Sequence, residues 1–189
     1  ARVLRGAEAT AERVRHALPG RTHVHLATHG TFLPDEVGWL PGLRSGLVLA
    51  RGEVLSAQEL IGLDLSSARL VVLSACETGL GDLSAGEGVL GLQRALHIAG
   101  ARTAVTSLWS VSDAATALLM ERFYDGLEEH PPPEALRRAQ AWVKDHPGEV
   151  ERRGEALRGA GRVPEKLPAG TRRSPVAWWG AFVLSGDWR

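Results

Sequence analysis

An α/β fold with a mostly parallel central sheet sandwiched by helices is the architecture this sequence predicts, and three observations predict it. The run Leu70-Val71-Val72-Leu73 is apolar without alternation, as strands buried on both faces of a parallel sheet are. Segments with helical periodicity, such as Glu87 to Ala99 and Asp113 to about Glu129, alternate with such strands, the pattern of α/β layering. Cys76 and His29 each follow an apolar strand, and ligands of open α/β sheets bind in the crevice outside the carboxyl ends of the strands.

Taken in order, residues 7 to 18 place Ala7, Ala11, Val14 and Leu18 at helical spacing and stop at Pro19-Gly20, which predicts a first helix. Residues 22 to 28 alternate and end at His29-Gly30, a strand feeding a loop from Thr31 to Pro41. Gly46 to Ala50 is the next strand. Arg51-Gly52-Glu53 turns the chain before a short helix capped by Ser56, with Glu59 completing a capping box and Gly62 ending it. Arg69 to Ser74 is expected to lie centrally in the sheet. A loop containing Gly79 and Gly81 leads to the helix Glu87 to Ala99, stopped by Gly100. Arg102 to Leu108 is a further strand. Ser112 caps a helix from Asp113 to about Glu129, Pro131 to Pro133 break it, and a second helix runs from Glu134 to about Lys144.

From Pro147 to Ser174 the character changes. Gly and Pro recur among Arg152, Arg153, Arg158, Arg162, Lys166, Arg172 and Arg173, so an exposed Arg-rich insertion over 147–174 is expected. Ala181 to Leu184 supplies the last strand. Trp178, Trp179 and Trp188 flank it and are expected to fill the core.

A chain of 189 residues can hold one sizeable core, so a single domain is expected. Its 22 basic and 22 acidic residues cancel, which disfavours nucleic acid as a direct partner. One cysteine cannot form an internal disulfide, and no apolar run approaches the roughly 18 residues a membrane span needs. A reducing, cytoplasmic location away from membranes is the expectation. Starting at Ala1 and entering a helix-like stretch almost at once, the chain reads as a domain of a longer protein.

Thiol attack on an amide carbonyl requires the thiolate, and a free cysteine pKa of about 8.5 leaves little of it at neutral pH. A neighbouring imidazole raises that reactivity and later protonates the leaving amine. Cys76 is therefore the candidate nucleophile and His29 its candidate base. A metal reading also exists, because His23, His25 and His29 share one parity along a strand, but no further His or Cys cluster completes a four-ligand set. Gly86-Glu87-Gly88-Val89-Leu90-Gly91 matches G-x-G-x-x-G formally. The dinucleotide fingerprint needs its first glycine directly after the strand, so close packing or a hinge explains these glycines better.

Five stretches together resemble the CHAT domain, a caspase-like family similar to separase. They are Val24-His25-Leu26-Ala27-Thr28-His29-Gly30, Ser45 to Ala50, Val71 to Gly79, Ala99-Gly100-Ala101-Arg102 with Ser107 to Asp113, and Trp179 to Trp188. The resemblance covers most of the chain in order, and the Arg-rich segment departs from it. It implies a caspase-like three-layer α/β/α sandwich and a cysteine endopeptidase acting on protein substrates through a Cys76–His29 dyad, without a cofactor. It further implies an oxyanion hole built from the Gly30 and Cys76 backbone amides, and Asp113 as a contact for a basic substrate side chain. A regulatory sensor or repeat domain, or a subunit, is the implied partner. The bland counterparts are a buried structural cysteine, a first-turn carboxylate at Asp113 favoured by the helix dipole, and solvated Glu77, Glu87 and Asp82. The competing class is a non-catalytic CHAT-type signalling or interaction module.

Overall fold

A computed structural model describes residues 2–31, 45–77, 85–157, 167–168 and 170–189. The expected loops after Thr31 and after Glu77, with Asp82, and the central part of the Arg-rich segment lie outside the described residues. The fold is α/β, a six-stranded mixed sheet flanked by helices, in the strand order β3-β2-β1-β4-β5-β6. The strands are β1 (His23–Thr31), β2 (Gly46–Val48), β3 (Val54–Ser56), β4 (Leu70–Glu77), β5 (Thr103–Ser107) and β6 (Phe182–Gly186). β1, β4 and β5 are mutually parallel, whereas β2 pairs antiparallel with both β1 and β3. The sheet is thus parallel at its centre and antiparallel toward the β3 edge.

The chain forms two compact units, Ala1–Trp109 with Val183–Asp187, and Ser110–Phe182 with Trp188–Arg189. The first holds the sheet with α1 (Ala11–Ala17), α2 (Ala57–Ile61) and α3 (Ala85–Ile98). Thr10 caps α1, its hydroxyl accepting from the Arg13 N–H at 3.3 Å, and Glu53 reaches from the β2–β3 turn to accept the Ala11 N–H at 2.6 Å. Both satisfy donors that a helix start leaves open. Val14, Leu18, Leu60, Val71, Leu73, Leu92 and Leu96 share one buried cluster. Burying side chains of this size contributes roughly 1.5–3 kcal/mol each. Gly100 ends α3 at φ +104, and a Cβ there would lie 2.9 Å from the Ser66 nitrogen, so both conformation and space require glycine. His97 closes the same corner, its Nδ1 2.9 Å from the Ala101 carbonyl and its Nε2 2.8 Å from the Ser185 hydroxyl.

The second unit contains α4 (Asp113–Gly126), α5 (Pro132–Asp145), α6 (Pro147–Leu157) and α7 (Val176–Trp179). α4 packs on α5, α6 and α7, with Leu119, Phe123, Leu136, Val143 and Val150 buried. Gly126 lets the α4–α5 hairpin close tightly, since a Cβ there would come within 3.2 Å of the Ala135 Cβ. Among the described residues no helix is long and apolar enough to cross a membrane.

Several boundaries differ from the sequence reading, each through pairing or packing between distant segments. β1 and β4 run on to Thr31 and Glu77 because their ladder continues to Gly30 opposite Glu77. His29 and Cys76 therefore lie inside strands and not in the loops after them. β3 (Val54–Ser56) forms between the Arg51–Glu53 turn and the short helix, where no strand was expected, because Val54, Leu55 and Ser56 pair with β2. The opening part of the Arg-rich segment is α6, whose Val150 is 2% exposed. Trp178 is buried as expected, whereas Trp188 is 49% exposed.

Candidate active site

β1 and β4 build the site. Val24 and Leu26 on β1, with Val71 and Leu73 on β4, turn one parity of both strands toward the buried cluster, and the period of two commits the alternate positions to the opposite face. His29 belongs to that opposite set and is exposed. The parallel register sets His29 directly beside Cys76, on strands that lie about 4.8 Å apart. On its other side His29 pairs with Val48 of β2. One rung thus reads Val48, His29, Cys76 across three strands, and the next reads Leu47, Gly30, Glu77.

The two residues most needed for thiol chemistry, far apart in sequence, share one register position near the carboxyl ends of two parallel strands. Gly30 is buried and extended within β1. Its φ is not in the left-handed region. His23, His25 and His29 all lie exposed along β1. Surrounding protein shields the His25 ring enough for desolvation to lower its pKa below the ordinary 6.5, which keeps it neutral at neutral pH.

Asp113 is the first residue of α4 and is exposed, with Ser112 as N-cap making no side-chain capping bond. It belongs to the second unit, the dyad positions to the first. The glycines at 86, 88 and 91 lie inside α3, and not at the strand-to-helix turn a phosphate cradle requires.

Two features escaped sequence reasoning. Thr28 donates its hydroxyl to the Val48 carbonyl, a cross-strand bond that only the β1–β2 pairing reveals. Leu108 and Trp109 follow β5 and are 39% and 40% exposed, large apolar side chains beyond the carboxyl end of a strand parallel to β1 and β4. Their spacing reads equally well as strand core, and only the end of β5 at Ser107 distinguishes the two.

A mixed α/β sheet thus carries a cysteine and a histidine on one rung of adjacent parallel strands. The chain belongs to the CHAT domain family, whose family model matches residues 1–187, and with it to the caspase-like peptidase superfamily. It is also similar to mouse tetratricopeptide repeat protein 28, at 30% identity over 154 residues, covering 65% of this chain and 6% of that protein. The chain thus spans a small part of the length of the curated relative it matches.

Proposed function

We propose that this CHAT domain is a cysteine endopeptidase that cleaves protein substrates with Cys76 as nucleophile and His29 as its base and acid. The observation that carries the reading is the register of β1 and β4, which pairs His29 with Cys76. His29 removes the thiol proton, and the thiolate adds to the scissile carbonyl carbon. The backbone amides of Gly30 and Cys76 stabilise the resulting oxyanion, each such donor being worth about 3 kcal/mol of barrier in enzymes of this type. Collapse breaks the C–N bond as the imidazolium returns its proton to the departing amine, leaving a thioester. Water, deprotonated by His29, then hydrolyses the thioester and restores the thiol. The cycle needs only the two side chains, the backbone and water.

Asp113 is the proposed contact for a basic residue on the amino side of the cut, through charge complementarity. The framework assumed is the caspase-like three-layer sandwich, in a cytoplasmic protein. Because the similar mouse protein carries tetratricopeptide repeats in its name, a repeat or sensor region is the proposed regulator of the site.

The test is the mapping of new peptide termini in a whole-proteome digest by the parent, Cys76→Ala and His29→Ala chains, with circular dichroism and melting to check folding. Both variants are expected to stay folded and lose cleavage, with residual rates at least about a hundredfold below the parent. Near-parental cutting by either folded variant would refute the dyad. A parent that cuts nothing, with its thiol unmodified by peptide-based electrophiles, would favour a signalling module.

A further inference from the structure

We propose that Thr28 is a positioning residue for His29, a role that rests on the Cys76–His29 reading. On its β4 side, β1 is held by a long ladder from His23 opposite Leu70 to Gly30 opposite Glu77. On its β2 side the ladder is shorter among the described residues. His29, Gly30 and Thr31 pair with Val48, Leu47 and Gly46, and His29 occupies the terminal rung. Beyond Val48 the chain leaves β1 for the hairpin, the Leu49 N–H donating to the Glu53 carbonyl at 2.7 Å.

Terminal rungs open most readily, and a catalytic imidazole on one would wander with it. Thr28 donates its hydroxyl to the carbonyl of Val48, the residue opposite His29. The hydroxyl adds a bond at the point where β2 departs, fastening the His29 rung on its weakly paired side. Thr28 alternates with His29 along the strand, so it faces the buried layer and not the imidazole. It acts through the backbone and takes no part in proton transfer. The effect matters because proton transfer demands heavy-atom separations within hydrogen-bond reach, and small displacements of a catalytic group are costly.

Cys76 is the lone thiol of the chain, so iodoacetamide alkylation against pH follows it directly, alongside turnover of protein or peptide substrates found by terminus mapping. The comparison uses the parent, His29→Ala, Thr28→Val, which keeps shape and β-branching but removes the hydroxyl, and Thr28→Ser, which restores it. His29→Ala should lose the enhanced alkylation near neutral pH. Thr28→Val should shift the alkylation profile in the same direction and lower kcat about fivefold with KM unchanged, while Thr28→Ser stays within about twofold of the parent. If Thr28→Val melts below assay temperature, Thr28→Ala makes the same comparison. A His29→Ala profile identical to the parent would overturn the dyad and the role of Thr28 with it. A changed His29→Ala profile with Thr28→Val matching the parent, or losing only melting temperature, would overturn the role of Thr28 alone.

Discussion

Asp113 shows how one carboxylate can answer two demands. It opens α4, where a negative charge near a helix N-terminus contributes about 0.3–1 kcal/mol whether or not a substrate is present. The proposed specificity role adds a second demand, which a ligand-free stability measurement does not register. Asp113→Ala should therefore cost no more than about 1 kcal/mol in melting experiments while the preference for Arg or Lys before the cut falls by at least about tenfold. Cleavage-site profiling of the variant separates the two. Loss of stability with the preference intact would assign the carboxylate to the helix alone. At this scale the sequence was informative because the proposed nucleophile and base are chemical identities: Cys76 is the lone thiol, and His29 ends an apolar stretch. That they share one rung inside two strands was not legible, since register is decided by two strands at once.

The start and end of α2, whose geometry is local, were legible. Ser56 and Glu59 form the expected capping box at the start of α2, and Gly62 ends it, because each bond spans only a few residues. β3 was not legible, since its three residues are a strand only by pairing with β2. α6 escaped for a related reason: most of its face is polar or charged, and Val150 supplies its anchor only once α4 is beside it. The capping box also makes a pH prediction. The Glu59 carboxylate accepts from the Ser56 N–H at 2.9 Å and pairs with Arg15 at 2.6 Å, and the Ser56 backbone bond is the chief cause lowering its pKa below the ordinary 4.5. A depressed carboxylate contributes its full stability above the unfolded pKa and loses it as pH falls through the folded one. Glu59→Gln should therefore melt below the parent at neutral pH, with the gap narrowing as the pH drops below 4.5. The Glu59 side chain is 42% exposed, so the gap is at most on the order of 1 kcal/mol. A gap that stayed constant with pH would show that the charge contributes nothing.

For the whole molecule, the family match runs from residue 1 to residue 187, a range that contains residues of both compact units and the Arg-rich segment. Its arginines are not equivalent. Arg152 and Arg153 lie in α6, bonded to Glu149 and Glu121 respectively, and the segment ends where the Ser174 hydroxyl donates to the Val143 carbonyl at 2.6 Å. Arg172 and Arg173 are exposed outside any helix. A peptidase that adds a strand-like substrate to its cleft must bind extended chain, which helical residues supply only after unfolding locally. If the basic preference proposed for Asp113 holds, prolonged incubation of the parent should give Cys76-dependent cuts after Arg172 or Arg173, and none after Arg152 or Arg153. Mass spectrometry of the products, with Cys76→Ala as control, checks this. Early cuts within α6 would contradict its protection, and an intact segment in a preparation that cleaves other proteins would remove self-processing. A dose of parent that trims the Cys76→Ala chain would further show that the cut occurs between molecules, because the substrate chain then has no nucleophile of its own.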